Sequence, residues 1–224
     1  MQFRRYAVYH LPEGALGDFG GAWLGWDARN GLRHLRPGGL PPEADALTET
    51  PRRYGFHATI KAPFRLAEGH GPEDLARRLR LVCDHLAPFA LMLEPRCDWG
   101  FLALRPDHQP PELLALESAV VTRLDDLRAP LTSTERDRRT PDALSDQARA
   151  HLDHWGYPYV LDLFQYHLTL SNQLPAPLAE ALRQRLMPYV APLIAAPMPV
   201  AAVALMGEAE DGHFHMIEEV PLRG

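Results

Sequence analysis

The chain has 224 residues, 46% of them hydrophobic and 23% charged, a composition that excludes wholesale disorder and fits one compact unit. Its formal net charge of −6 argues against an extended nucleic-acid partner, which would require a basic face, and suits a small phosphorylated substrate better. Ile194 to Met206, the longest apolar stretch, is broken by Pro197 and Pro199 and is too short for a membrane helix. The N-terminal MQFRRYAVYHLPEG has no apolar signal core, so no membrane association and a cytoplasmic location are expected.

In chain order, Phe3 to His10 predicts the first strand. A Gly-rich stretch with Trp23 and Trp26 predicts a short helix, followed by a Gly- and Pro-rich loop from Arg36 to Pro42. Tyr54 to Lys61 reads as a strand closed by Pro63. Gly71-Pro72 opens a helix on which Leu75, Leu79, Val82 and Leu86 form an apolar stripe. Strands are expected near Phe89–Leu93 and Trp99–Leu104, then helices from Pro111 to Leu127 and from Pro141 to Trp155. The second of these has Thr140 as its N-cap and Gly156 as its stop.

The order then repeats. Phe164 to Ser171 predicts a strand and Pro177 to Val190 a helix. A strand pair follows near Pro199–Met206 and His213–Val220, joined at Glu210-Asp211-Gly212. The expected fold class is α+β, a bilobal duplicated fold with two antiparallel sheets flanked by helices around a central cleft. Residues 1–224 form one domain with halves of about 1–130 and 131–224, between which strands can exchange. Cys83 and Cys97 form no CxxC motif and are expected to be reduced and buried.

Two segments carry the chemistry. Phe56-His57-Ala58-Thr59-Ile60 and Tyr166-His167-Leu168-Thr169-Leu170 share the order aromatic, His, apolar, Thr, apolar. On a strand alternate side chains share a face, so each segment packs its apolar residues on one side. The other side then offers an imidazole and a hydroxyl. One imidazole can take a proton from an attacking oxygen while its counterpart protonates the leaving oxygen. The threonine hydroxyls can donate to non-bridging phosphate oxygens. His57, Thr59, His167 and Thr169 are therefore the candidate catalytic residues, and the arrangement asks for no metal and no cofactor.

The paired motifs resemble the two-histidine (2H) phosphoesterase superfamily, whose signature is a repeated His-hydrophobic-Thr/Ser-hydrophobic segment. Arg53-Tyr-Gly-Phe-His-Ala-Thr-Ile-Lys-Ala-Pro-Phe64, Trp155-Gly-Tyr-Pro-Tyr-Val160 and Phe164-Gln-Tyr-His-Leu-Thr-Leu170 look like its DUF1045 branch, whose members occur beside carbon–phosphorus lyase genes. The resemblance implies a hydrolase that opens a small cyclic phosphodiester in phosphonate breakdown. It leaves open an enzyme acting on RNA 2′,3′-cyclic phosphates or 2′-5′ bonds, and a non-catalytic module that binds a phosphorylated metabolite. No oligomeric state is implied.

Further candidates flank the motifs. Lys61 and Ser171 continue the polar faces of the two strands, so Lys61 reads equally as a phosphate ligand or a surface lysine. Arg53, Tyr54 and Tyr159 are candidates for the walls of a substrate site, and Tyr157 belongs to the same aromatic loop as Tyr159. His213 and His215 form an HxH without a third ligand, and His151 and His154 share a helix face without a completing Asp or Cys. The mixed run from Arg123 to Arg149 reads as a solvated face, with Arg136, Arg138 and Arg139 able to reach over a cleft.

Overall fold

The computed structural model describes residues 2–36, 38–140 and 144–224. The chain begins with β1 (Tyr6–His10), α1 (Gly14–Leu24), the short pair β2 (Trp26–Asp27) and β3 (Leu32–Arg33), and two single turns, α2 (Ala44–Leu47) and α3 (Glu49–Arg52). Next come β4 (Ala58–Phe64), α4 (Pro72–Cys83), β5 (Phe89–Leu91), β6 (Leu93–Arg96), β7 (Ala103–Pro106) and α5 (Pro111–Arg123). The remainder is α6 (Ser133–Arg138), α7 (Asp146–Trp155), β8 (Leu168–Thr169), α8 (Ala176–Val190), β9 (Met198–Val200), β10 (Ala202–Glu208) and β11 (Phe214–Pro221). This is a mixed α and β fold whose paired strands are all antiparallel.

Its largest sheet has the order β11-β10-β1-β4. All five residues of β1, Tyr-Ala-Val-Tyr-His, are buried, as an inner strand covered on both faces requires. A second sheet has the order β6-β7-β8, and β5 pairs with β9. One core fills the space between these sheets and the helices. It takes Leu75 and Leu79 from α4, Leu113, Leu116 and Val120 from α5, and Leu182, Leu186 and Val190 from α8. Phe56, Ala58 and Ile60 of the first motif and Tyr166, Leu168 and Leu170 of the second enter that same core, so the apolar side expected for each motif is the buried one.

Strand limits differ from the pattern. The first motif strand starts at Ala58, one residue after His57, and runs through Pro63 to Phe64 instead of closing there. Its partner β1 ends at His10, opposite Ala58, so no ladder remains for residues 54–57. Pro63 is tolerated because β4 lies at the sheet edge and is irregular there. The second motif strand is shorter still, only Leu168–Thr169, opposite Leu104 and Ala103. Before it, the Gln109 side chain stands in for a neighbouring strand: its Nε2 donates to the Phe164 carbonyl at 2.9 Å and its Oε1 accepts from the Tyr166 amide at 2.7 Å.

Other boundaries move for similar reasons. Residues 89–96 divide into β5 and β6 because they pair with different partners, β9 and β7. Trp99 falls in the turn between β6 and β7, not in a strand. The helix expected from Pro141 is corrected to Asp146–Trp155, its first turn capped by the Ser145 side chain, which accepts from the Ala148 amide at 3.2 Å. Thr140 instead bonds back to the Arg136 carbonyl, and Pro141 lies outside the described residues. Cys83 is buried while Cys97 is only partly so, and both are free thiols.

Candidate active site

The first motif is aimed by the turn before it. Gly55 has φ +75°, a left-handed conformation that glycine adopts without strain. Its carbonyl accepts from Nδ1 of His57 at 2.9 Å, which places the ring proton on Nδ1 and leaves Nε2 as the free nitrogen. Nε2 lies 3.2 Å from the Thr59 hydroxyl. The imidazole rests on the Tyr9 ring, with centroids 3.9 Å apart, and Tyr54 stands 5.9 Å away.

The second motif repeats the arrangement. Nδ1 of His167 donates to the Gln165 carbonyl at 2.8 Å, again a carbonyl two residues upstream. Two aromatic rings again flank the imidazole, Trp99 at 5.5 Å and Phe101 at 5.9 Å between centroids. His57, Thr59, His167 and Thr169 all line one cavity of about 380 Å³. Side chains from two different sheets thus meet across it.

Burial sets the charge of both rings. Removal from water pushes the His57 imidazole down to about 4, against the opposing pull of the Gly55 carbonyl and with help from His167. His167 is also lowered, by burial first, with the Gln165 carbonyl opposing and Arg105 assisting. Both imidazoles are therefore neutral in the free protein near pH 7. An anion bound between them would favour their charged forms, so ligand binding and protonation are coupled.

The flanking candidates divide. Tyr54 lines the cavity, and Tyr157 lines it too. Lys61 does not. One step along β1, from Tyr9 to Val8, matches two along β4, from Thr59 to Lys61, and this bulge turns Lys61 towards α5. There it is 4% exposed and donates to the Val121 carbonyl at 3.0 Å and to Asp125 at 3.2 Å. Arg53 is also corrected: its side chain is exposed and outside the cavity lining, and among the described residues only its carbonyl is engaged, by the Phe214 amide. Ser171 reaches the lining, but its hydroxyl is committed, accepting from the Leu102 amide at 2.9 Å and donating to the Asn172 carbonyl at 2.8 Å. Tyr159, 48% exposed, belongs to an adjoining cavity of about 570 Å³ that shares His167, Phe101 and Tyr157 with the first.

Residues that the motif reading passed over also line the site. Tyr9 forms the floor beneath His57, its hydroxyl buried without a hydrogen-bond partner among the described residues. Arg5 and Arg139 both face the cavity. Arg5 is neutralised by Glu208, with bonds of 2.5 and 2.7 Å, and only its alternation with Tyr9 along an aromatic strand hinted at it. Of the arginine-rich run, Arg139 alone enters the lining, whereas Arg136 pairs with Asp153 and Arg138 is exposed. His213 and His215 pack against Trp26, and His151 bonds Asp162 at 2.6 Å. Among the described residues no group of three or more His, Cys, Asp or Glu is arranged to hold a metal ion. Among the same residues no helix is long and apolar enough to cross a membrane.

A family model described as "Protein of unknown function (DUF1045)" matches residues 59–215, which include Thr59 and the whole second motif and start two residues after His57. The chain is 34% identical over 233 residues to "Ribose 1,5-bisphosphate phosphokinase PhnN" of Janthinobacterium sp. (strain Marseille), an alignment covering 98% of this chain and 51% of that protein. It is 39% identical over 173 residues to the protein of the same name from Laribacter hongkongensis (strain HLHK9), covering 76% of this chain and 40% of that protein. The chain thus spans about half the length, or less, of the curated relatives it matches. A phosphokinase is a transferase, and this name overturns the expectation of a hydrolase that opens a cyclic phosphodiester.

Proposed function

We propose, for a chain that belongs to the DUF1045 family, that this cavity binds a small phosphorylated sugar and moves its phosphoryl group between oxygens, with His57 and His167 as the proton-transfer pair. The observation that carries the reading is the repeated geometry: two imidazoles, each with Nδ1 tied to the carbonyl two residues upstream, line one cavity with two threonines. In the step we propose, one neutral Nε2 takes the proton of the attacking hydroxyl as that oxygen bonds to phosphorus. The bond to the leaving oxygen breaks, and that oxygen receives a proton from the other imidazole, charged by the bound anion. Thr59 and Thr169 donate to the non-bridging oxygens.

We assign the reacting phosphate to imidazole and hydroxyl groups rather than to a lysine-bearing loop. The sequence contains one lysine, Lys61, preceded by Ile60, so it has no Gly-Lys-Ser/Thr phosphate loop. The relatives' name makes ribose 1,5-bisphosphate the first substrate to try, and the resemblance to the DUF1045 branch supports a role in phosphonate breakdown. We also read the chain as a duplicated, bilobal unit. Each motif strand is followed by a helix, a single strand and a hairpin, α4-β5-β6-β7 after the first and α8-β9-β10-β11 after the second. Each hairpin joins the sheet of the other unit's motif.

Nitrogen NMR of the histidine rings tests the assignment. On titration with ribose 1,5-bisphosphate, Nε2 of His57 and His167 should shift towards the protonated form while Nδ1 keeps its proton. Shifts confined to other histidines would place the ligand elsewhere and sink the reading.

A further inference from the structure

Arg139 is the C-terminal cap of α6, and its guanidinium lines the cavity that holds the two motifs. Nη2 donates to the Pro63 carbonyl at 2.5 Å and Nη1 to the Gly156 carbonyl, while the group lies over the Tyr157 ring with 5.9 Å to its centroid. Two carbonyls use two of the five guanidinium N–H donors, so three remain without a partner among the described residues. Among those residues no carboxylate lies within ion-pair distance of it. Glu135 of its own helix, whose charge acts on Arg139, is committed to Arg65 at 3.0 and 3.1 Å, and Arg5 is committed to Glu208. A half-buried cation with spare donors, fixed by carbonyls and facing a cavity, is a preformed anion site. Burial and the nearby Arg5 both press on its charge, and an incoming anion would relieve that.

Its position separates it from the phosphate at the motifs. The carbonyl that holds Nη2 belongs to Pro63, four residues beyond Thr59 on β4; Thr59 and Phe64 stand opposite Tyr9 and Tyr6, so the two lie within about 10 Å of strand rise. An anion held by Arg139 is thus a different group from one held between the threonines. We propose that Arg139 anchors a second phosphate of the substrate, so that the cavity selects sugar bisphosphates over monophosphates. This rests on the reading of the two motifs as the site of the reacting phosphate.

Calorimetric titration of the full chain with ribulose 5-phosphate and with ribulose 1,5-bisphosphate tests it. Wild type should bind the bisphosphate about tenfold to a hundredfold tighter, the range of a charge-assisted hydrogen-bond pair. Arg139→Gln should bring that ratio close to one. Arg139→Lys, which keeps the charge but loses the fork, should give an intermediate ratio, and it decides the matter if the glutamine variant does not fold. Thr59→Val should weaken both sugars by a common factor and leave the ratio intact. A wild-type ratio near one, or a ratio unchanged in both Arg139 variants, overturns the second subsite and leaves the motif reading standing if Thr59→Val still weakens binding. A ratio lost in Arg139→Gln with no effect of Thr59→Val overturns the motif reading alone. If neither sugar binds, both fall.

Discussion

At the scale of single residues, the two histidines are alike in a way that their sequence spacing does not dictate. Each gives Nδ1–H to the carbonyl two residues upstream, and each is wedged between two aromatic rings. The first feature leaves Nε2 as the free nitrogen of each ring, and the second partly buries it. Because burial lowers both imidazoles, His57 to about 4, the charged acid is scarce in the free protein at neutral pH. kcat/KM reports the free protein, so it should fall as pH rises through the lowered value of whichever imidazole acts as acid. The optimum should lie on the acid side of 6.5, the ordinary histidine value, and belongs to the pair rather than to either ring. A pH–rate profile with an optimum above pH 7 would contradict this. Thr59→Val and Thr169→Val should lower the profile by roughly ten- to a thousandfold without moving it, since each removes one preorganised donor and no imidazole. The motif residues were legible in the sequence because an aromatic-His-apolar-Thr-apolar order repeated. Tyr9 was not, and Arg139 could not be told from Arg136 and Arg138 in a run that reads as a solvated face. Tyr9 reaches His57 only through the pairing of β1 with β4, and Arg139 is held at the cavity by the carbonyls of Pro63 and Gly156, remote from it in sequence.

Among the elements, alternation gave the correct buried side of both motif strands but not their lengths. Strand length depends on pairing with the neighbouring strand: β1 ends opposite Ala58, whereas β7 runs on to Pro106 but pairs with β8 only at Ala103 and Leu104. The bulge that sends Lys61 towards α5 is likewise a property of the pair, invisible in β4 read alone. Gln109 shows how the missing ladder is replaced. Its Ala variant leaves a buried carbonyl and amide without partners, at a cost of about 1–3 kcal/mol. It should also speed hydrogen exchange at the Tyr166 amide; exchange unchanged from wild type would mean that the segment before His167 is held by something else. Helix α1 offers a test with the opposite sign from propensity. Alanine at an ordinary helical glycine stabilises by roughly 0.5–1 kcal/mol. A Cβ at Gly20 would instead lie 2.0 Å from Cδ1 of Phe56, in the core and adjacent to His57. Gly20→Ala should therefore destabilise, by about 1–3 kcal/mol for an overpacked site. Urea unfolding measures this, and a gain in stability would show that Phe56 moves freely.

At the scale of the whole molecule, the site exists because two sheets built from distant parts of the sequence bring their motif strands to one cavity. Its buried ionisable groups also set how stability follows pH. His10 and His57 are both pushed down to about 4 by burial, so the unfolded chain binds more protons than the native one between about 4 and 6.5. Their contribution falls as pH drops through that window, by roughly 3 kcal/mol each. Glu117, raised to about 7 by burial, works the other way and strengthens the native state as pH falls from 7 towards 4.5. Two imidazoles outweigh one carboxyl, so urea midpoints should decrease from pH 7 to pH 4.5, and less steeply in His57→Gln. Equal midpoints would mean that the imidazoles are not desolvated. The central claim is that His57 and His167 are the two halves of one proton-transfer device acting on a phosphorylated sugar. Phosphorus NMR of ribose 1,5-bisphosphate with wild type, His57→Ala and His167→Ala tests it most directly, with folding of each variant checked by its melting curve. The account predicts new phosphorus resonances with wild type and a loss of about a hundredfold or more in rate in each folded variant. An unchanged spectrum with wild type, or near-normal turnover in either variant, would contradict it.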